Sequence, residues 1–311
     1  MPATVRISES ARLGLRVTLI ILAAVVLLIP VIVTTAHGAS RLNYGKIEAN
    51  ETLPGAMQEL KIKLGTGASV DIKTANIAEP TVELTATGPR DSSADLKVKN
   101  RDSVAEVVLA NRQKLENARM TVTVPTDIAG DLKLDLDGNY GQFDVNGRYS
   151  EIFADTDGGA LSISGQADRL HTSTDWGATS LEGTFKTVEA KTGVGAIDGE
   201  DLTVTDRLEA VTSTGTIDLD FADETVPAGG ITTKTDEGSI ELLLPNLKLA
   251  NERSDEDFLY RINAKSNDGS VELASDLKKF DVSKDPKDAE GKTLVPISAT
   301  ADTGMVTVNQ N

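Results

Sequence analysis

The sequence predicts an all-β protein: a parallel β-solenoid (β-helix-like) of ~18–20-residue coils, preceded by one N-terminal transmembrane helix. Three observations predict it. An eight-residue pattern (apolar, any, small, any, Thr-like, any, any, Gly) occurs in eight copies, starting at Leu134, Ile152, Leu170, Val188, Leu208, Ile231, Ile262 and Ile297. Aromatic residues make up only 4% of the chain, too few for a core of large rings but suited to narrow stacked strands. Finally, Val17 to Ala36 is an uncharged 20-residue run, about the length that spans a ~30 Å hydrocarbon layer as a helix.

The membrane segment comes first. Arg6, Arg12 and Arg16 precede it, with Glu9 the one acid among them. This positive flank places residues 1–16 in the cytoplasm and everything after 17–36 outside the cell, as a single-pass protein of the cell membrane. The alternative is a cleaved signal peptide ending at Thr34-Thr35-Ala36 or His37-Gly38-Ala39. Signal-peptide apolar regions usually run ~7–15 residues, shorter than this one.

Residues 37–54 read as a polar tether and 55–130 as an N-terminal β region. Within the latter, Leu60–Leu64 and Val70–Ile72 alternate around Gly67 as a looser ninth copy. Thr81–Thr87, Val104–Leu109 and Met120–Val124 are further strands, broken by a turn-rich stretch from Pro89 to Ala94.

The regular array fills 131–311. Start-to-start spacings are 18, 18, 18, 20, 23, 31 and 35 residues, so the unit is constant while its connections lengthen. Alternate residues of a strand face opposite sides. The inward set is therefore the starting apolar residue, a small residue such as Ala154, Ala190 or Ala210, and a hydroxyl residue: Thr156, Thr174, Thr192, Thr212, Thr235 or Ser266. Asp and Asn follow as turn residues, and the glycine permits close backbone approach. An antiparallel meander also fits two strands into 18 residues, but its hairpins do not require Thr and Gly to align copy after copy. Two units depart from the pattern, with Thr179 and Gly199 where apolar residues belong; these coils should pack least well.

Met120-Thr121-Val122-Thr123-Val124-Pro125, followed by Thr212-Ser213-Thr214-Gly215-Thr216-Ile217, Thr235-Asp236-Glu237-Gly238-Ser239-Ile240 and Ser266-Asn267-Asp268-Gly269-Ser270-Val271, resembles the putative-adhesin family of exported β-strand repeat domains. The resemblance covers residues 60–309. It implies an exported domain behind an N-terminal membrane segment and no catalytic residues.

The chain holds 31 basic and 48 acidic residues, a net charge of −17, which argues against nucleic acid as a partner. With no cysteine and two histidines, His37 and His171, thiolate chemistry is excluded and imidazole chemistry has little to work with. No cofactor is expected. One outward column is acidic in Asp144, Asp198, Asp218, Glu241 and Glu272. Stacked about 4.8 Å apart, the last four form either a solvated stripe or a weak divalent-cation site. Lys191, Lys234 and Lys265 share another outward column and screen it. Trp176, the only tryptophan, sits in the turn before Gly177 beside Asp175. Exposed there, it would stack on a sugar or a partner; otherwise it is an incidental rim aromatic. The reading is a non-catalytic surface interaction or envelope structural protein. Its partners would be the membrane, through 17–36, and an envelope glycan or protein. The alternatives are a carbohydrate-active β-helix enzyme and a sensor ectodomain signalling through a membrane partner.

Overall fold

Strand follows strand because the alternation of apolar with polar or hydroxyl residues continues from Tyr44 almost to the C-terminus, and β-branched side chains favour the pleat. The computed structural model describes residues 43–65, 67–90, 93–109, 115–282 and 291–311. The expected cytoplasmic segment and membrane span lie outside them. Among the described residues no helix is long and apolar enough to cross a membrane.

Seven strands come first: β1 (Tyr44–Thr52), β2 (Glu59–Leu64), β3 (Ala68–Ala75), β4 (Thr81–Pro89), β5 (Leu96–Arg101), β6 (Val104–Leu109) and β7 (Glu116–Pro125). A one-turn helix α1 (Thr126–Ala129) leads into β8 (Lys133–Phe221), which stays extended for 89 residues and makes successive passes through the sheet. Then come β9 (Gly230–Leu244), α2 (Leu247–Arg253), β10 (Phe258–Leu273), a 3₁₀ turn at Lys278–Phe280, and β11 (Thr293–Gln310). β1 falls in the expected tether, α2 in one of the lengthened connections between units, and β5 where no strand was expected.

The all-β class holds, but the expected parallel solenoid is corrected. The eleven strands form one sheet of mixed orientation, nearly closed as a barrel. β1 pairs β4, β4 pairs β7 and β5 pairs β6, all antiparallel. The parallel pairs are β2 with β6 and β8, β3 with β7 and β8, β8 with β9, β9 with β11, and β11 with β10. The β5–β6 reversal has a local cause. Asp102 and Ser103 both take positive φ, 51° and 65°, between the paired Arg101 and Val104. That is the two-residue turn whose twist matches a hairpin.

The chain order is also broken. β11 lies between β9 and β10, because Ile297 is abreast of both Ile231 and Ile262. β10 is therefore an edge strand, although it precedes β11 in sequence.

The glycines fix how closely the passes approach. A Cβ on Gly159 would stand 1.7 Å from the Gly141 carbonyl oxygen, and Gly177, Gly195, Gly215, Gly238 and Gly304 each meet the preceding glycine of the column in the same way. Only backbone fits there. Beneath this column, the starting residues Leu134, Ile152, Leu170, Val188, Leu208, Ile231, Ile297 and Ile262 are all buried in one apolar cluster. Each contributes roughly 1.5–3 kcal/mol by leaving water. The gap at Gly199 is filled: a Cβ there would collide with Leu202 Cδ1 at 2.3 Å and Leu219 Cδ2 at 2.9 Å. That pass is closely packed, contrary to the expectation from the missing apolar residue.

Candidate functional site

Two outward-facing features are built on this scaffold, one acidic and one aromatic. The acidic one lies three residues past the glycine column. Gly215 stacks on Gly195, so Asp198 and Asp218 are abreast, and Asp218 pairs in register with Glu241. Glu241 is next to Thr307, and only beyond Thr307 comes Glu272. The structure thus brings Asp198, Asp218 and Glu241 together at about 4.8 Å per strand and sets Glu272 two steps from Glu241, about 9.6 Å away. Partial burial, and then the neighbouring Asp218 carboxylate, push Asp198 above the ordinary carboxylate value. The three groups stand in a row. Among the described residues no three His, Cys, Asp or Glu side chains converge to hold a metal ion.

The aromatic feature lies one residue before the glycine column. There the chain turns a corner, and a side chain points away from the core. Across four passes these positions are Tyr140, Gly158, Trp176 and Val194. Trp176 is 69% exposed, Tyr140 65% and Val194 47%. Monomeric surfaces bear single apolar residues commonly, but contiguous rows seldom. Gly158 shapes the row. A Cβ on it would meet the Tyr140 ring at 2.9 Å, so the tyrosine lies across the glycine towards the Trp176 pass, and Gly158 is buried beneath it. The Thr156 hydroxyl donates to the Gly158 carbonyl at 3.0 Å and pins this corner. Trp176 makes no ring contact or hydrogen bond with another described side chain, so its faces are open.

Charge beside the row is one-sided. The outward positions two and four residues before the glycines are Asp137, Asn139, Asp155, Asp157, Ser173, Asp175, Lys191 and Gly193 across these passes. Asp155, Asp157 and Asp175 are exposed and make no ion pair with a described residue. Asp236, further along the same column as Asp157 and Asp175, is held by Lys234 at 2.8 Å. Lys191 is engaged by Glu189, whose carboxyl it lowers by its hydrogen bond, with a smaller contribution from His171. Lys234 and Lys191 therefore neutralise acids of their own passes and leave those near Trp176 free.

The sequence singled out Trp176 and missed Tyr140 and Val194. The signal was available: reading the residue before each glycine as its own column puts them in one row. An open cavity of about 560 Å³, lined by Leu247, Asn251, Phe258, Lys279, Phe280 and Gln310 among others, includes neither the acidic row nor Trp176.

No protein-family model matches the sequence, and no curated protein does. Solved structures do. A putative adhesin from Bacteroides fragilis shares 17% identity over 86% of this chain and 97% of its own, at a TM-score of 0.50. A putative adhesin from Parabacteroides distasonis shares 9% over 85% and 97%, at 0.46. The first establishes a shared fold. The Bacteroides fragilis protein carries the name of the family that the Thr-x-x-Gly units resemble.

Proposed function

We propose that this chain is a membrane-anchored, outward-facing surface protein that binds a partner without catalysis, in the manner of an adhesin. The observation that carries the reading is the Tyr140–Trp176–Val194 row, exposed on a backbone that glycine-on-glycine contact holds rigid. Aromatic side chains concentrate where surfaces bind, because they offer large contact area at low entropic cost. A rigid sheet keeps that area pre-organised, which lowers the ordering cost of association. The shared fold with the Bacteroides fragilis putative adhesin supports the reading. The Val17–Ala36 run supplies the anchor.

The experiment compares cells displaying the full chain with cells displaying Trp176→Ala or Tyr140→Ala, on surfaces coated with envelope proteins or glycans. Attachment well above that of cells lacking the chain, and lost in both variants, is the expected result. Equal attachment by all four strains would sink the reading. The anchor is tested separately by fractionation: the intact N-terminus should sediment with membranes.

A further inference from the structure

We infer that the partner of the aromatic row is basic: an arginine- or lysine-bearing segment whose cationic groups lie on the Trp176 and Tyr140 faces while Asp155, Asp157 and Asp175 neutralise them. The inference rests on the surface-binding reading above and names the chemistry of the same site.

Two facts point this way together. An aromatic face is negative at its centre and attracts a cation within about 6 Å, tryptophan most strongly. Here the only tryptophan is more than two-thirds exposed, at 69%, with no described ring or polar group against it. The protein uses this interaction elsewhere, with Lys133 Nζ 4.7 Å from the centre of the Phe153 ring. The second fact is the charge around the row. Lys191 is the one basic residue in the two columns beside it across four passes, and Glu189 already holds it. Asp155, Asp157 and Asp175, like Asp137 on the first pass, thus have no counter-charge left to them in these columns, whereas Asp236, in the equivalent place on β9, has Lys234. On the other flank of the row the residues after the glycines are Gln142, Ala160, Ala178 and Ala196, and the three alanines beside Gly158, Trp176 and Val194 are short enough to let a chain lie close. A guanidinium fits best. It stacks flat on an indole and presents its edge donors to carboxylates at the same time. A neutral saccharide would use the rings but leave the carboxylates unpaired.

Trp176 is the only tryptophan, so its emission reports on this site alone. The full chain is titrated at low ionic strength with a hexa-arginine peptide, with a hexa-glutamate peptide, and with neutral cello- and chito-oligosaccharides. The expected result is a saturable change in emission with hexa-arginine only. Neutralising Asp155→Asn, Asp157→Asn and Asp175→Asn together should weaken it at least tenfold, and Tyr140→Ala severalfold, with circular dichroism unchanged. Because the whole chain is acidic, a control triple, Glu79→Gln, Glu83→Gln and Asp223→Asn, removes as much exposed charge from β4 and from loops outside the β8 passes that carry the row. It should leave the titration within twofold of the parent. Equal weakening by both triples would reduce the effect to net-charge attraction and overturn the proposal. A saturable response to a neutral oligosaccharide that survives the first triple would make the row a sugar platform. The basic partner would then be wrong while the surface-binding reading stood. No response to any probe overturns the proposal as well.

Discussion

Gly215 lies directly against Gly195: a Cβ on Gly215 would stand 1.7 Å from the Gly195 carbonyl oxygen, and its φ is +145°. No side chain can be accommodated there without separating two passes of the sheet. Gly215→Ala should therefore cost at least about 3 kcal/mol in urea unfolding, or prevent folding. Gly55→Ala meets nothing within 4 Å and should stay within about 0.5 kcal/mol of the parent. If the two variants unfolded at the same urea concentration, close stacking of the passes would be refuted.

That contact shows why much of the fold was legible. A glycine that must be glycine leaves a column in the sequence, and the apolar residues on either side of it leave two more. Strand direction leaves no such trace. Thr81–Thr87 alternates identically in a parallel or an antiparallel ladder, so β4 was visible as a strand while its reversal against β7 was not. Strand order leaves none either. Ile231, Ile262 and Ile297 open units of the same pattern, and the register is satisfied whichever lies in the middle. Of the candidate site, Trp176 was legible because it is unique. The row around it was not, because Tyr140 and Val194 have different chemistries and share only a position relative to glycine.

The interior hydroxyl column separates into two kinds of threonine. Thr156 donates to the Gly158 carbonyl, while the buried hydroxyls of Thr174, Thr192, Thr212 and Thr235 meet no partner. Replacing an unpartnered hydroxyl by a methyl of the same shape removes a desolvation cost, whereas removing a partnered one orphans its acceptor. Thermal unfolding should show Thr212→Val more stable by about 1 kcal/mol and Thr156→Val less stable by a similar amount. Thr156→Val should also weaken hexa-arginine binding, by loosening the corner under Tyr140.

Asp198 gives the acidic row a sign. Burial, and then Asp218, raise its folded pKa above the unfolded value, so the ionised form opposes folding at neutral pH. The penalty is relieved as the pH falls through the folded pKa, and it is absent once both states are protonated. Asp198→Asn should thus raise the melting midpoint by about 1–2 °C at pH 7, a small effect because the group is largely solvated. The advantage should vanish below about pH 3, under the ordinary carboxylate range. An advantage that persisted at low pH would mean that it comes from packing rather than charge.

Ile240 and Val271 occupy the same place in the repeated pattern, two residues past their glycines, yet Ile240 is 1% exposed and Val271 42%. Strand order makes the difference. Ile240 lies between Ile217 of β8 and Val306 of β11, so both sides are covered. Val271 pairs with Val306 alone, since β10 is the last strand of the ladder. A carboxylate at position 240 would be buried without a cation, at a cost of several kcal/mol. At position 271 it would remain in water. Ile240→Asp should therefore fail to fold or lose at least about 4 kcal/mol, and Val271→Asp should lose no more than about 1 kcal/mol. Ladder order equal to sequence order would put β10 between β9 and β11 and bury Val271 on both sides. Similar losses in the two variants, measured by urea unfolding, would favour that arrangement and displace β11 from its place between β9 and β10.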